Sequence, residues 1–140
     1  MRVLLALAFP GRPVKASGMK PAILYVDDDP CMLEIFATYF RDQGYEVVPV
    51  VSGEQAMSQA AVQPFSLAVF DINLAEENGM ELLSHFKTKF PALPVVMFTG
   101  LPDEDELVDE ALARGASGFM NKKASLQELC EAVRSYLPGS

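Results

Sequence analysis

A chain of 140 residues, half of them hydrophobic, can close one continuous core without disulfides or metals as staples. Against 19 Asp and Glu stand only 11 Lys and Arg, a formal net charge of −8. That balance argues against a grip on nucleic-acid phosphates, which needs clustered basic side chains; it suits a divalent cation or a basic protein surface without choosing between them.

The first segment, Met1 to Phe9 (MRVLLALAF), has the look of a stunted signal peptide: one Arg and then a short apolar run. Pro10 and Gly11 end the run early, no small-x-small cleavage site follows, and the run is too short to span a membrane. Pro13 and Gly18 further oppose a regular element. The expectation is a loosely attached, mobile leader over residues 1–19, or Met19 as the true beginning, with residues 20–140 forming a single domain.

From Lys20 onward, strand-like and helix-like segments alternate. The strands read as Ala22–Val26 (AILYV), Tyr45–Val50 (YEVVPV), Leu67–Phe70 (LAVF), Val95–Phe98 (VVMF) and Gly118–Met120 (GFM). Short apolar runs with little polar alternation suit a parallel sheet covered on both faces. Pro30 opens the first helix, which carries Leu33, Phe36 and Phe40 on one face and ends at Gly44. Ser52 with Gln55 predicts a capping box for the second. Leu82, Leu83, Phe86 and Phe90 line the third, which Pro91 stops. The fourth is predicted from about Asp103 to Arg114 with Gly115 as its C′ residue, and the fifth carries Leu126, Leu129, Cys130, Val133 and Leu137. Cys31 and Cys130 lie far apart without ligand spacing, so reduced thiols packed in helices, in a reducing compartment, are expected. The repeated βα unit predicts an α/β fold, a doubly wound five-stranded parallel sheet in the order 2-1-3-4-5. Ending at Ser140, this reading leaves no residues for an output domain.

Ligands of such sheets bind outside the carboxyl ends of the strands. Here those ends carry Asp27-Asp28-Asp29, Asp71, Thr99 and, after Asn121, Lys122. Gathered carboxylates repel unless a cation neutralises them, and an oxygen-only cluster suits Mg²⁺. A hydroxyl and an ammonium at the same rim could hold an oxyanion beside the metal. Any one of these residues could be an ordinary soluble strand terminus; four strand ends so furnished are harder to dismiss.

From Lys20 to about Leu137 the chain resembles the receiver domains of two-component response regulators, in the single-domain chemotaxis-regulator form. ILYVDDDP is similar to the first-strand acidic signature, VFDINLAEENGMELL to the phosphoacceptor segment, VVMFTG to the fourth strand and GASGFMNKK to the fifth. The resemblance implies a flavodoxin-like (βα)5 fold and a phosphoacceptor signalling domain rather than an enzyme. It implies that Asp71 accepts the phosphoryl group. Asp27, Asp28, Asp71 and the backbone carbonyl of Asn73 would hold Mg²⁺. Thr99 and Lys122 would meet the phosphoryl oxygens, while Thr99 and Phe119 move on activation. Asp29, Asn73 and Leu101 would tune the lifetime of the phosphorylated state. The implied partners are a sensor histidine kinase or histidine phosphotransfer protein, and a downstream protein met through the fourth helix, fifth strand and fifth helix. The protein would be cytoplasmic, a monomer or phosphorylation-dependent dimer, with no direct nucleic-acid binding and no membrane association. Two departures stand out: Lys123 where many members carry a cis-proline, and Ala75 where Pro is frequent.

Other readings use the same residues. A haloacid-dehalogenase-like phosphatase would pair Asp27 with Asp29, followed by Thr99 and Lys122, but Cys31 stands where Thr or Val is expected, no acidic pair follows Lys122, and Asp71 would have no role. A pseudo-receiver would lack an acid or the lysine, and a flavodoxin-type FMN protein would need a hydroxyl- and glycine-rich loop after the first strand. His85 reads as a surface residue and the methionines as core filler or scattered surface. The six acids among residues 103–110 read as a solvated helix face, or as a surface for a basic partner.

Overall fold

The computed structural model describes residues 20–74, 77–100 and 105–137. The leader (1–19), Ala75, Leu101, Asp103 and Glu104, on which expectations were placed, lie outside the described residues. The elements run β1 (Ala22–Val26), α1 (Pro30–Asp42), β2 (Glu46–Val50), α2 (Gly53–Val62), β3 (Leu67–Asp71), α3 (Gly79–Lys89), β4 (Val95–Thr99), α4 (Asp105–Ala113), β5 (Gly118–Asn121) and α5 (Leu126–Tyr136). Every strand pairing is parallel and the order is β2-β1-β3-β4-β5, as the alternation of apolar runs predicts.

The two-residue period of the strands sorts their side chains into two apolar layers. Ile23 and Tyr25, Leu67 and Val69, and Val96 and Phe98 face one side, where Phe36 and Phe40 of α1 and Leu129, Cys130 and Val133 of α5 cover them. Leu24 and Val26, Ala68 and Phe70, and Val95 and Met97 face the other, under Ala56 of α2, Leu83 and Phe86 of α3 and Ala111 of α4. Both faces being covered, β1, β3 and β4 are buried along their whole length.

Strand boundaries differ from the sequence reading by a residue. β3, β4 and β5 extend to Asp71, Thr99 and Asn121, because backbone pairing continues past the last apolar side chain: Asp71 is registered with Phe98 and Thr99 with Asn121. β2 begins at Glu46 instead of Tyr45, whose N–H closes back on the Phe40 carbonyl at 3.1 Å at the end of α1. The predicted capping box of α2 is half made. Ser52 accepts the Gln55 N–H, but the Gln55 side chain reaches past Ser52 to the N–H of Val51. The complete box is at α5, where Ser125 and Glu128 exchange hydrogen bonds. Cys130 is buried, as expected of a packed thiol, whereas Cys31 in the first turn of α1 is exposed. Gly115 adopts φ +106° just past α4, the left-handed C′ residue the sequence predicts. Beside it Arg114 binds α3: its guanidinium donates to the Met80 carbonyl at 3.1 Å and to Ser84 Oγ at 3.0 Å while pairing with Glu110. Among the described residues there is no cis peptide bond, so Lys122–Lys123 is trans, and no helix is long and apolar enough to cross a membrane.

Candidate functional site

The switch point of the sheet lies between β1 and β3, where the chain goes on from β1 toward one edge, to β2, and from β3 toward the other, to β4. At their carboxyl ends Asp27 and Asp71 come together. Both follow the Tyr25/Val69 side of the pleat, and both are buried, Asp27 completely. Asp28, one residue on, is exposed; one carboxylate oxygen from each of Asp27, Asp28 and Asp71 lies within 4.8 Å of the others. This all-oxygen, three-carboxylate set, open to solvent on the Asp28 side, fits a hard divalent cation such as Mg²⁺.

Lys122, in the loop after β5, reaches across β4 to the acids. Its ammonium lies 2.8 Å from Asp27 Oδ2 and 3.3 Å from Asp71 Oδ2, and 5.7 Å from the centre of the Phe98 ring. The loop is anchored where the Lys122 N–H donates to the Thr99 carbonyl at 2.7 Å. Burial alone would lower the lysine pKa; the hydrogen bond and charge of Asp27, and then those of Asp71, outweigh it and hold the ammonium charged. Asp71 is pushed up to about 6 by burial and by the Asp27 charge, with Lys122 and the Asn73 N–H pulling the other way. Asp71 is thus a carboxylate poised to lose its proton near neutrality, in a pocket that already holds a cation.

The other predicted residues are distributed as follows. Asn73 follows Asp71 closely: its N–H donates to Asp71 Oδ1 at 3.3 Å, and an isolated bridge to Asn78 folds the loop back. That fold needs Gly79. Its N–H bonds the Ile72 carbonyl at 2.9 Å, and a Cβ there would strike the Asp71 carbonyl oxygen and lie 2.8 Å from Ile72 Cα. Thr99 is buried at the end of β4. Phe119 is partly buried on β5 against the second apolar layer. Asp29 lies beside the site and caps the N-terminus of α1, one carboxylate oxygen accepting the Cys31 N–H at 3.0 Å. His85 is exposed on α3.

Two contacts escape the sequence reading. Tyr25, an apolar strand residue by sequence pattern, donates its hydroxyl to Asp27 Oδ2 at 2.5 Å. The signal was available: residues two apart on a strand share a face. Glu77 accepts the N–H of Gly53, tying the loop after β3 to the start of α2. That contact joins residues 24 apart in sequence, and no local pattern announces it.

A doubly wound sheet with clustered carboxylates and a lysine at its switch point is shared by a few classes of α/β protein, and the chain's own sequence decides between them. It belongs to the response regulator receiver domain family, whose model matches residues 23–134. Among curated relatives, it is 32% identical to the response regulator protein FleR of Pseudomonas aeruginosa over 87% of this chain and 26% of that one. It is 36% identical to the transcriptional regulatory protein ZraR of Escherichia coli over 76% of this chain and 24% of that one. The chain therefore spans about a quarter of the length of these relatives. Among solved structures, the CheY-like receiver domain protein of Methanospirillum hungatei superposes with a TM-score of 0.78 at 28% identity, covering 84% of this chain and 93% of that one. The receiver domain of NtrX from Brucella abortus gives 0.78 at 29% identity, covering 84% and 99%. The response regulator TrrA of Thermotoga maritima, solved in complex with Mg²⁺-BeF, gives 0.75 at 25% identity, covering 85% and 100%.

Proposed function

We propose that this receiver domain accepts a phosphoryl group on Asp71, from a phosphohistidine of a sensor histidine kinase or a histidine phosphotransfer protein. The observation that carries this reading is the placement of the buried Asp71 carboxylate beside two further acids and the Lys122 ammonium. An oxygen of Asp71 attacks phosphorus; the new O–P bond forms as the P–N bond to the donor imidazole breaks, and that nitrogen keeps the electron pair. Mg²⁺ held by Asp27, Asp28, Asp71 and the Asn73 carbonyl would supply neutralising charge at the transferring oxygens. Lys122 turns from the carboxylates to one phosphoryl oxygen and Thr99 donates its hydroxyl to another. The inward pull on Thr99 and the accompanying turn of Phe119 bias the surface formed by α4, β5 and α5 toward a downstream protein. Water then attacks the phosphoryl group, releases phosphate and restores the Asp71 carboxylate. The complex of TrrA with Mg²⁺-BeF supports the metal-dependent part of this reading.

The test is direct. Incubation with acetyl phosphate and Mg²⁺ is expected to add one phosphoryl group by intact mass, and Asp71→Asn is expected to add none. Equal labelling of that variant overturns the assignment.

A further inference from the structure

Asp27 is completely buried, so its carboxylate depends on protein donors in place of water. Oδ1 accepts the Asp29 N–H at 3.0 Å. Oδ2 takes two donors at once, the Tyr25 hydroxyl at 2.5 Å and the Lys122 ammonium at 2.8 Å. Tyr25 is held rigidly for this. Its ring is fully buried, stacked on Phe36 at a centroid separation of 4.1 Å and 6.0 Å from Phe98. Its single hydroxyl proton points at an ionised oxygen that can only accept, so toward Asp27 the phenol is a donor.

The two donors differ in what they can do. The lysine side chain is long, 19% exposed and within reach of Asp71, whereas the phenol oxygen cannot move away from Oδ2 without unstacking its ring. When Lys122 turns to an oxyanion on Asp71, Asp27 Oδ2 loses its ammonium donor; the Mg²⁺ that Asp27 would help to hold supplies charge but donates no hydrogen bond. A buried carboxylate stripped of a donor is costly, and the phenol is the side-chain donor that stays behind.

We infer that Tyr25 is a positioning residue of this site: by sharing Asp27 Oδ2 with Lys122, its hydroxyl leaves the lysine free to pass to an oxyanion on Asp71 without leaving that buried oxygen short of a donor. The inference rests on the Asp71 reading given above. It assigns to a strand residue a role in how readily the lysine is released.

The experiment compares the full wild-type chain with Tyr25→Phe, which keeps the ring and its stacking and deletes only the hydroxyl. Two affinities are measured by calorimetry: Mg²⁺ alone, and beryllofluoride, the phosphoryl mimic, at saturating Mg²⁺. Affinity for Mg²⁺ alone is expected to stay within about threefold, because Lys122 need not leave Asp27 fully for the metal to enter. Affinity for beryllofluoride is expected to fall about tenfold, toward the lower end of what one charge-assisted hydrogen bond carries. Equal loss of both affinities, the mark of a merely structural tyrosine, overturns the proposal, and so does no loss of either. A wild-type chain that binds neither Mg²⁺ nor beryllofluoride overturns the Asp71 reading itself, and this outcome is distinct because it appears without any substitution. If Tyr25→Phe does not fold, the wild-type chain still answers by proton NMR. The Tyr25 hydroxyl proton, located through its contacts with the Phe36 ring, is expected to remain hydrogen-bonded after Mg²⁺ and beryllofluoride are added; its loss overturns the proposal.

Discussion

Replacing Lys122 by Ala removes the cation that Asp27 and Asp71 share, and the structure sets the size of the penalty. Breaking a buried ion pair by deleting one partner costs roughly 3–5 kcal/mol when the remaining charge has no escape. Here Asp71 has one, because its carboxyl titrates at about 6 with the lysine present. At pH 7.5 a proton on such a group costs at most about 2 kcal/mol at 1.36 kcal/mol per unit, and less once the lysine that lowers its pKa is gone. Asp27 also loses its 2.8 Å contact, but it keeps the Tyr25 and Asp29 donors. The expected loss is therefore about 2–3 kcal/mol, a fall in melting temperature of roughly 10 °C for a domain of this size. The sign with pH follows from the raised pKa. Between the ordinary Asp value of 3.8 and about 6, folded Asp71 binds more protons than the unfolded chain does, so its contribution to stability falls as pH rises through that window. Without Lys122 the folded pKa climbs further and the window widens upward, so the gap between variant and wild type should narrow as pH drops from 7.5 to 5.5. Millimolar Mg²⁺ at pH 7.5 should narrow it as well, by supplying the missing charge. Circular-dichroism melts at both pH values, with and without Mg²⁺, make the comparison. A variant that melts within 2 °C of wild type at pH 7.5 without Mg²⁺ refutes the reasoning.

The same carboxyl should make metal binding pH-dependent. Below pH 6 each Mg²⁺ must displace a proton from Asp71, so affinity should fall toward about tenfold per unit, and a flat profile between pH 5 and 7.5 would remove Asp71 from the metal site. Gly79→Ala forces a Cβ against the Asp71 carbonyl and the backbone of Ile72, so urea denaturation should show a loss of about 1–3 kcal/mol, with weaker Mg²⁺ binding as the Asn73 loop is displaced. Ser125→Ala breaks the reciprocal cap of α5 and should cost about 1 kcal/mol. Ser52→Ala should cost no more than that, since the Gln55 side chain keeps its bond to Val51; a larger loss at Ser52 would invert this account.

The sheet was legible because β1, β3 and β4 are buried on both faces, which leaves an uninterrupted apolar run in the sequence. The site was legible for a related reason: in a parallel sheet, the polar residue that ends each run falls on the same rim. What could not be read was anything decided by reach rather than by period. Glu77 meets Gly53 only because the start of α2 and the loop after β3 come together in space, and Lys122 chooses Asp27 over Asp71 by 0.5 Å. Gln55 carried a capping-box spacing but bonded one residue further upstream, a choice left open by the length of its side chain. Ser125 and Glu128 carry the same spacing and do close a box. Tyr25 was hidden by composition, since in an apolar run the phenol counts as hydrophobic until its face is known.

The grip of Arg114 on α3 gives α4 a fulcrum. The guanidinium fastens the carboxyl-terminal end of the helix to Met80 and Ser84, and Ala111 one turn earlier is fully buried, whereas Leu107, nearer the other end, is only partly buried. Nine residues at about 1.5 Å each make a lever roughly 13 Å long. A displacement of about 2 Å at the amino-terminal end then tilts the whole rod by roughly 9° about Arg114, so a small event there would be read on the surface as a change of angle rather than of position.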